Sequence, residues 1–313
     1  MTSSAVESVG AVASQGTPGR LVTGLSVVLG GLLLAQYLAW VPGYLCRPYW
    51  ADQDVFATMA QGWRRGELPY RDLKSNQFPG SLYLFAVLER VAGVDRPVAF
   101  YAVDAAAVLG FGLALGVWSR RRFGTVLPGV IGGLTFAGYE FALEHLDTGQ
   151  RDWQAAFLAV LGLMVLQGLS GWRGRLGSAV LLAAALVTRP QAVVLLPAYA
   201  LALDEQARPA GEPFSRTLRT GLGWGIMLAV LLALAFLPLV LAGVGGDFLR
   251  GLSHVRYGTG YNREGLLSPA RLRYVVDEIT DLSVLVLPVA VGVLGAMAEP
   301  RLRRLAWTWV VAY

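Results

Sequence analysis

The sequence predicts an all-α polytopic membrane protein, and three observations carry that prediction. Of the 313 residues, 55% are hydrophobic and only 15% are charged, whereas soluble domains carry about 25% charged residues. The apolar residues fall in blocks of about 18 to 25, the length of a helix that crosses the hydrocarbon core of a bilayer. No polar stretch is long enough to build a core of its own, so we expect no soluble domain.

Charge and rare residues exclude further classes of protein. The formal net charge is +5, almost all of it on arginine, and Lys74 is the only lysine. No basic stripe is interleaved with aromatic residues, so we expect no nucleic-acid partner. The single cysteine, Cys46, cannot form a disulfide within the chain, and the two histidines, His145 and His254, have no spacing typical of a zinc site.

The first apolar block marks the predicted domain boundary. Residues 1–20 are rich in small residues without a period and are predicted to be a disordered tail, ahead of a transmembrane domain over residues 21–313. The apolar run that opens this domain is longer than the core of a signal peptide, which has about 7 to 15 residues. Its end carries Tyr37, Trp40 and Tyr44, and aromatic residues are enriched at membrane interfaces. This run is therefore predicted to be a retained first membrane-spanning helix.

Short basic turns set the predicted orientation. Turns at 120–122, 173–175 and 301–304 belong in the cytoplasm by the positive-inside rule. The N-terminus is then cytoplasmic, and the first outer loop (residues 46–98) and the loop 245–281 lie outside. We expect a multi-pass protein of the plasma (inner) membrane that is in contact with the lipid bilayer along its spans.

The first outer loop is predicted to hold interfacial helices. Residues 52–65 place apolar side chains on one face and polar ones largely opposite, the pattern of a helix lying in the interface plane. Asp52 is suited to cap this helix, and Gly66 to Pro69 end it. Residues 81–92 are apolar but too short to span, which predicts a second interfacial or re-entrant segment. The apolar face of the first helix comprises Val55, Phe56, Met59, Ala60 and Trp63.

One later region leaves two interpretations open. Residues 176–188 and 190–203 are each too short to span, and Pro190 argues for a break, so we predict a hairpin of short helices with Arg189 near the outer face. One continuous helix would invert the topology downstream. The last apolar run stops at Tyr313 after about 14 Å of helix, which predicts a C-terminally truncated fragment. Other spans are predicted at 99–118, 126–141, 153–169, 221–242 and 284–297.

On this topology, charged residues within or beside the apolar blocks gather in the outer third of the membrane. Ionisable groups inside a membrane are costly and tend to mark functional sites, which favours an outward-facing chamber. A transporter more often places such groups near the midplane. The set comprises Asp52, Asp54, Asp104, Glu140, Asp147, Asp152 and Arg189.

Structural roles stay open for these residues. Asp52 and Asp152 each precede or begin a helix and are candidates for simple caps. Asp104 and Glu140 lie within apolar blocks and are candidates for interhelical pairs. Arg189 is long enough to snorkel to lipid headgroups.

The stretch 52–80 resembles the first outer loop of membrane glycosyltransferases of the C-type (GT-C) fold. It is most similar to the branch of dolichyl-phosphate-mannose protein mannosyltransferases and lipid A aminoarabinose transferase. Weaker similarity continues in order to about residue 204 and includes Thr188-Arg189-Pro190. The family's lysine and first proline in the last motif of the loop are Gln77 and Phe78 here. The matching positions are Asp52, Phe56, Ala60, Gly66, Pro69, Tyr70, Asp72, Asn76, Pro79 and Gly80.

The resemblance implies a GT-C-like helix bundle that transfers a sugar from a polyprenyl-phosphate donor on the extracytoplasmic side. Asp52 is then the expected catalytic base. Asp152 is a second catalytic carboxylate that orients the acceptor or helps to hold a divalent cation. Whether the reaction requires a divalent cation stays open. Arg189 is expected to face the phosphate. Further candidates for binding substrate are Asp54, Arg64, Tyr70 and Lys74. The glycine-containing loop with His254, Arg256, Tyr257 and Tyr261 is a candidate for closing over substrate.

Two other classes of function stay open. A transporter or flippase of lipid-linked sugars would bind the same donor without cleaving it, and a noncatalytic membrane scaffold would use the carboxylates only for assembly. The acceptor is equally open, as a protein, a lipid or a glycan. If the chain is truncated, the missing helices would have helped to build the lipid groove. We then expect the truncated chain to be inactive.

Overall fold

The computed structural model describes residues 20–93, 96–142, 149–207 and 214–258, with the single residue Pro269. Its regular elements within these ranges are helices, as the sequence predicts, and one isolated bridge joins Pro69 to Leu73. Residues 1–19 of the predicted tail, Asp147, His145, Tyr261 and the apolar runs after 281 lie outside the described residues, whereas Arg20, the last residue of that tail, begins the first helix. The helices are α1 (Arg20–Leu45), α2 (Ala51–Arg64), α3 (Pro79–Val91), α4 (Pro97–Phe123), α5 (Leu127–Ala142), α6 (Arg151–Gly168), α7 (Gly171–Thr188), a 3-10 helix (Pro190–Leu195), α8 (Leu196–Ala207), α9 (Phe214–Leu241) and α10 (Gly245–Gly258).

Three helices are long and apolar enough to cross a membrane. They are Val27–Leu45 of α1, Pro97–Arg122 of α4 and Phe214–Leu241 of α9, and they coincide with three of the spans predicted from the sequence. The predicted spans 126–141 and 153–169 form α5 and α6. Neither helix is both as long and as apolar as the three candidate spans. Polar residues such as Arg151 and Asp152 at the start of α6 lower its hydropathy.

The chain divides into two compact units, of which the first contains residues up to Pro42 and Val108–Ala142. Within it, the second half of α4 meets α5 through glycines. A Cβ atom on Gly133 would collide with the Cα atom of Gly112, and one on Gly129 would collide with the backbone of Leu115. Close backbone approach at small residues is the usual way in which membrane helices pack.

The second unit contains Gly43–Ala107 and the chain from Leu143 onward, and its core lies among α6, α7, α8 and α9. The Tyr199 ring stacks on Trp224 with centroids 5.3 Å apart, and its hydroxyl donates to the Ala159 carbonyl at 2.6 Å. The Trp224 indole donates to Ser178 Oγ at 3.0 Å. Each of these buried polar atoms therefore has a partner.

Helices α2 and α3 form a pair in the same unit, and Phe85 joins them to α4. Its ring lies 6.0 Å from Phe56 and 4.9 Å from Phe100. The predicted apolar face of α2 is confirmed at Phe56, Met59 and Ala60, which are buried, but Val55 is exposed. The buried stripe is rotated because Gln53 and Ala57 turn inward instead. Whether α2 lies in an interface plane stays a prediction.

Two further boundaries bear on the sequence predictions. The break at Arg189 is confirmed, because this residue has an extended backbone between α7 and the 3-10 helix. The loop predicted from 245 to 281 is helical over its first 14 residues as α10, so His254, Arg256 and Tyr257 lie on a helix. A helix forms there because Asp247 stands in its first turn, where a carboxylate is favourable.

Candidate functional site

The N-terminal ends of two helices each present a carboxylate that is paired with an arginine. Asp52 is the second residue of α2, and Asp152 is the second residue of α6. Nη2 of Arg151 lies 3.2 Å from Asp52 Oδ2, and Nη2 of Arg189 lies 2.7 Å from Asp152 Oδ1. Because Arg151 precedes Asp152 in the chain, the two ion pairs share one neighbourhood. The structure thus brings Asp52, Asp152 and Arg189 together.

Neither aspartate is the cap of its helix, in contrast to the capping alternative. Trp50 and Gln150 occupy the cap positions. Both carboxylates are turned toward guanidinium groups instead, because an ion pair binds a carboxylate more strongly than one backbone N–H does.

Arg151 is the most enclosed of the charged groups at this site. Its side chain is only 9% exposed, and its guanidinium lies 5.8 Å from the centre of the Phe56 ring. Burial lowers the pKa of Arg151; the charges of Asp52 and Asp152 raise it, and that of Arg189 lowers it. These interactions place all four groups in one electrostatic cluster. Nη1 of Arg151 is buried without a hydrogen-bond partner among the described residues.

Arg189 is positioned by the end of α7. Its backbone N–H donates to the Ala185 carbonyl at 2.7 Å, and Pro190 then begins the 3-10 helix and fixes the direction of the chain. Within the described ranges, Nε of Arg189 is buried and has no hydrogen-bond partner. Two guanidinium groups therefore carry unsatisfied donors at this site.

Both arginines line a cavity of about 340 Å³. Its lining combines the two arginines with three residues that have amide side chains. The lining residues are Asn76, Gln77, Phe78, Arg151, Thr188, Arg189, Pro190, Gln191 and Leu252. An anion is the ligand that such donors bind best, so we call this the anion cavity.

A second cavity of about 500 Å³ shares Thr188 with the anion cavity. Its walls are nearly all apolar and come from α3, α4, α6, α7 and α9, with Leu158, Val180 and Leu231 among them. We call it the apolar cavity. A polar and an apolar chamber that meet at one residue match a ligand with an anionic head and a hydrocarbon tail.

Gly80 explains why the sequence ends its polar loop in Phe78-Pro79-Gly80. A Cβ atom on Gly80 would lie 2.5–2.7 Å from the hydroxyl and backbone atoms of Thr188. Only glycine therefore lets the first turn of α3 approach the end of α7 at the residue where the two cavities meet.

Gln53 is a positioning residue that the sequence analysis missed. Its side chain is buried, its Oε1 accepts from the Trp50 N–H at 3.1 Å, and its Nε2 donates to the Gly149 carbonyl at 3.2 Å. These bonds tie the start of α2 to the turn before α6, and so hold Asp52 opposite Arg151. A polar residue next to a candidate base was the only available signal, and it is a weak one.

Asp104 lies in the wall of the apolar cavity and is buried. It accepts hydrogen bonds from the Tyr44 hydroxyl and, at 2.8 Å, from Gln154 Nε2. The alternative of an interhelical pair is therefore confirmed for Asp104, which links α1, α4 and α6. Glu140 is also buried, within the first unit.

The turn after α2 is held by residues of the resemblance motif. Asp72 Oδ2 accepts from the Leu68 N–H at 2.7 Å. Tyr70 has a positive φ of 69° and donates its hydroxyl to the Gln77 carbonyl at 3.1 Å; burial raises the pKa of this hydroxyl. Tyr70, a candidate for binding substrate, lies outside the lining of the anion cavity and orients the loop that carries Gln77.

Of the sequence candidates, Arg189 alone is among the residues that line this cavity, and Asp52 and Asp152 adjoin it through their arginine partners. Asp54 and Lys74 are exposed, and Arg64 pairs with Glu89 between α2 and α3. Helix α10 supplies Leu252 to the cavity wall. It is held to the loop by Arg71, whose Nε donates to Asp247 at 3.0 Å.

The described residues hold no group of three or more His, Cys, Asp or Glu side chains placed to bind a metal ion. Asp152, the residue considered for a divalent cation, is engaged by Arg189, and the candidate base Asp52 is engaged by Arg151. Comparisons of the chain with protein-family models, with curated proteins and with solved structures found no match.

Proposed function

We propose that this protein is a GT-C-like membrane glycosyltransferase that moves a sugar from a polyprenyl-phosphate donor to an acceptor on the extracytoplasmic side. The observation that supports this proposal most is the pair of adjoining cavities. Two arginines with buried donor atoms line the smaller one, and apolar side chains of five helices line the larger one. A lipid-linked phosphate combines these two chemistries in one molecule.

The phosphate of the donor binds in the anion cavity. Arg151 Nη1 and Arg189 Nε supply donors that have no partner among the described side chains, and bonds from guanidinium to phosphate are short and charge-assisted. The N-terminal ends of α2 and α6 add partial positive charge. The hydrocarbon chain then extends past Thr188 into the apolar cavity.

Transfer requires that the acceptor hydroxyl loses its proton as its oxygen attacks the anomeric carbon. Asp52 accepts that proton: Arg151 engages Oδ2 of its carboxylate, and the side chain stays 34% exposed, so an acceptor can reach it. The bond between the anomeric carbon and the phosphate oxygen breaks, and the lipid phosphate leaves with an added negative charge. Arg151 and Arg189 stabilise that charge. Asp152 holds Arg189 in place and orients the acceptor.

The test measures release of polyprenyl phosphate from a labelled lipid-phosphate sugar by the full chain in membranes. Asp52→Asn is expected to lower the transfer rate by about 10²- to 10⁴-fold, the usual contribution of a general base, while donor binding is retained. Asp54→Asn, an exposed carboxylate in the same helical turn, serves as the matched control. Transfer at the wild-type rate by Asp52→Asn would rule out the base.

The same assay separates the transferase from a lipid-sugar transporter. A transporter binds the donor with the same arginines but leaves the anomeric bond intact. Intact donor after saturating incubation with a panel of hydroxyl acceptors, together with donor movement across the bilayer, would replace the proposed function with transport.

A further inference from the structure

A second polar cleft of about 330 Å³ lies between α2 and α3. Arg64, a sequence candidate for binding substrate, lines this cleft and not the anion cavity. Twelve residues of helix separate Arg64 from Asp52, which corresponds to about 18 Å, so one compact headgroup cannot occupy both sites. The lining residues are Ala60, Trp63, Arg64, Tyr83, Ala86, Val87, Glu89 and Arg90.

A buried carboxylate holds one of the two arginines of the cleft. Nε of Arg64 lies 2.8 Å from Oε1 of Glu89, whose side chain is only 4% exposed, while the Arg64 side chain is 63% exposed. Glu89 thus fixes the stem end of the guanidinium and leaves its outer edge facing the cleft. Arg90 contributes a second guanidinium. Two cations and one carboxylate leave a net positive charge, which favours an anionic ligand.

The flank of the cleft is apolar. Val87 lines it and is 58% exposed, and Val91, one turn further along the same face of α3, is 80% exposed. Trp63 adds an indole ring, which lies 6.2 Å from the Tyr83 ring. Tryptophan and tyrosine are enriched at the level of lipid headgroups, and arginine side chains extend to the same level. A ligand here has an anionic head next to a hydrocarbon part.

We propose that this cleft binds an anionic phospholipid of the surrounding bilayer. The phosphate and the charged headgroup contact Arg64 and Arg90, and the acyl chains run along the valine face of α3. This site is separate from the donor site, so its test is a binding measurement that does not depend on transfer activity.

The experiment is native mass spectrometry of the full chain in detergent, titrated with dioleoylphosphatidylglycerol or dioleoylphosphatidylcholine. Wild type is expected to bind the phosphatidylglycerol more tightly than the phosphatidylcholine. Arg90→Gln is expected to weaken that binding about fivefold, the effect of one cation near an anionic lipid, with no change for the choline lipid. Arg90→Gln leaves the pair of Arg64 and Glu89 intact, so it tests the cleft without disturbing its fold.

A second variant removes the ion pair as a unit. The double variant Arg64→Gln/Glu89→Gln avoids leaving Glu89 buried without Arg64. It is also expected to lose the preference for phosphatidylglycerol over phosphatidylcholine. Arg65→Gln is the matched control, because Arg65 is exposed, lies 3.6 Å from Glu67 and is outside the cleft. The proposal is overturned if Arg90→Gln binds like wild type, if Arg65→Gln loses as much, or if inorganic phosphate at equal concentration displaces the lipid.

Discussion

The core of the second unit and its anion cavity differ in whether their buried polar groups have hydrogen-bond partners. In the core, Tyr199, Trp224 and Ser178 all use their polar atoms in hydrogen bonds. In the cavity, Nη1 of Arg151 and Nε of Arg189 are buried without a partner in the part of the chain that the structure describes. Each unsatisfied group costs about 1–3 kcal/mol. The core is arranged for stability, whereas the cavity keeps donors ready for a ligand.

The largest effect expected on donor binding comes from removing an unsatisfied donor. Arg151→Met keeps much of the length of the side chain and removes its charge. Loss of a charge-assisted bond to phosphate is worth about 1.5–3 kcal/mol, so the affinity for a polyprenyl-phosphate donor is expected to fall about tenfold to a hundredfold. The free energy of unfolding is expected to change by less than about 1 kcal/mol. The methionine removes a buried N–H that has no partner, and Asp52 stays partly solvated after it loses its ion pair.

Donor binding by tryptophan quenching and chemical unfolding in detergent measure these two quantities. Arg173→Met, an exposed position near the start of α7, controls for the loss of one positive charge. Unchanged donor affinity in Arg151→Met would contradict the role of the anion cavity, and a large loss of stability would place Arg151 with the core residues.

The next effect concerns the point where the two cavities meet. Gly80→Ala forces a Cβ atom against the backbone of Thr188, and overpacking of this kind costs about 1–3 kcal/mol. We expect both lower stability and weaker donor binding, since Thr188 lines both cavities. Gly223→Ala in α9 has open space around it and is expected to be neutral or stabilising, by up to about 1 kcal/mol. Equal behaviour of the two variants would contradict the close approach.

The contrast between site and core also explains what the sequence could predict. Asp52, Asp152 and Arg189 stand out as charges beside apolar blocks, and the cost of placing charges there is enough to indicate a site from the sequence alone. Arg151 does not stand out, because it looks like an ordinary polar residue at a helix start. Its importance arises from burial against Phe56 and Asp52, almost a hundred positions earlier, which local patterns do not contain.

The errors in the fold have a similar origin. Val55 belongs to the predicted apolar face of α2 but is exposed, because contacts with α3 and the turn at Gly149 select Gln53 and Ala57 for burial. The segment of α10 has the glycines and polar residues of a loop, which is why its sequence predicts one. Gly251 is instead a packing position, where a Cβ atom would lie 2.5 Å from the Ser75 carbonyl oxygen. Tertiary contact decides both cases.

A smaller effect is expected in the core of the second unit, where the polar groups have hydrogen-bond partners. Tyr199→Phe removes the hydrogen bond to Ala159 and is expected to cost about 1 kcal/mol of stability, with donor binding unchanged. Gly162→Ala would collide with the Tyr199 hydroxyl and should cost more. Because Tyr199→Phe removes the colliding atom, the double variant is expected to cost less than the sum of the single ones. Strict additivity in chemical unfolding would contradict this packing.

The smallest effect is local and concerns the clamp between α10 and the loop after α2. Hydrogen bonds from Arg250 and then from Arg71 hold the pKa of Asp247 below its usual range. Such a lowered pKa contributes stability above the ordinary aspartate pKa of about 3.9, and this contribution is lost as the pH falls through the lowered value. Asp247→Asn is therefore expected to lower the amide-exchange protection factors of residues 245–258 at neutral pH, and to remove the loss of protection that wild type shows on acidification. Glu67→Gln, which breaks the more exposed pair with Arg65 in the same loop, should leave that exchange unchanged. If Asp247→Asn exchanges like wild type at pH 7, Arg71 does not hold α10, and Leu252 reaches the cavity wall by packing alone.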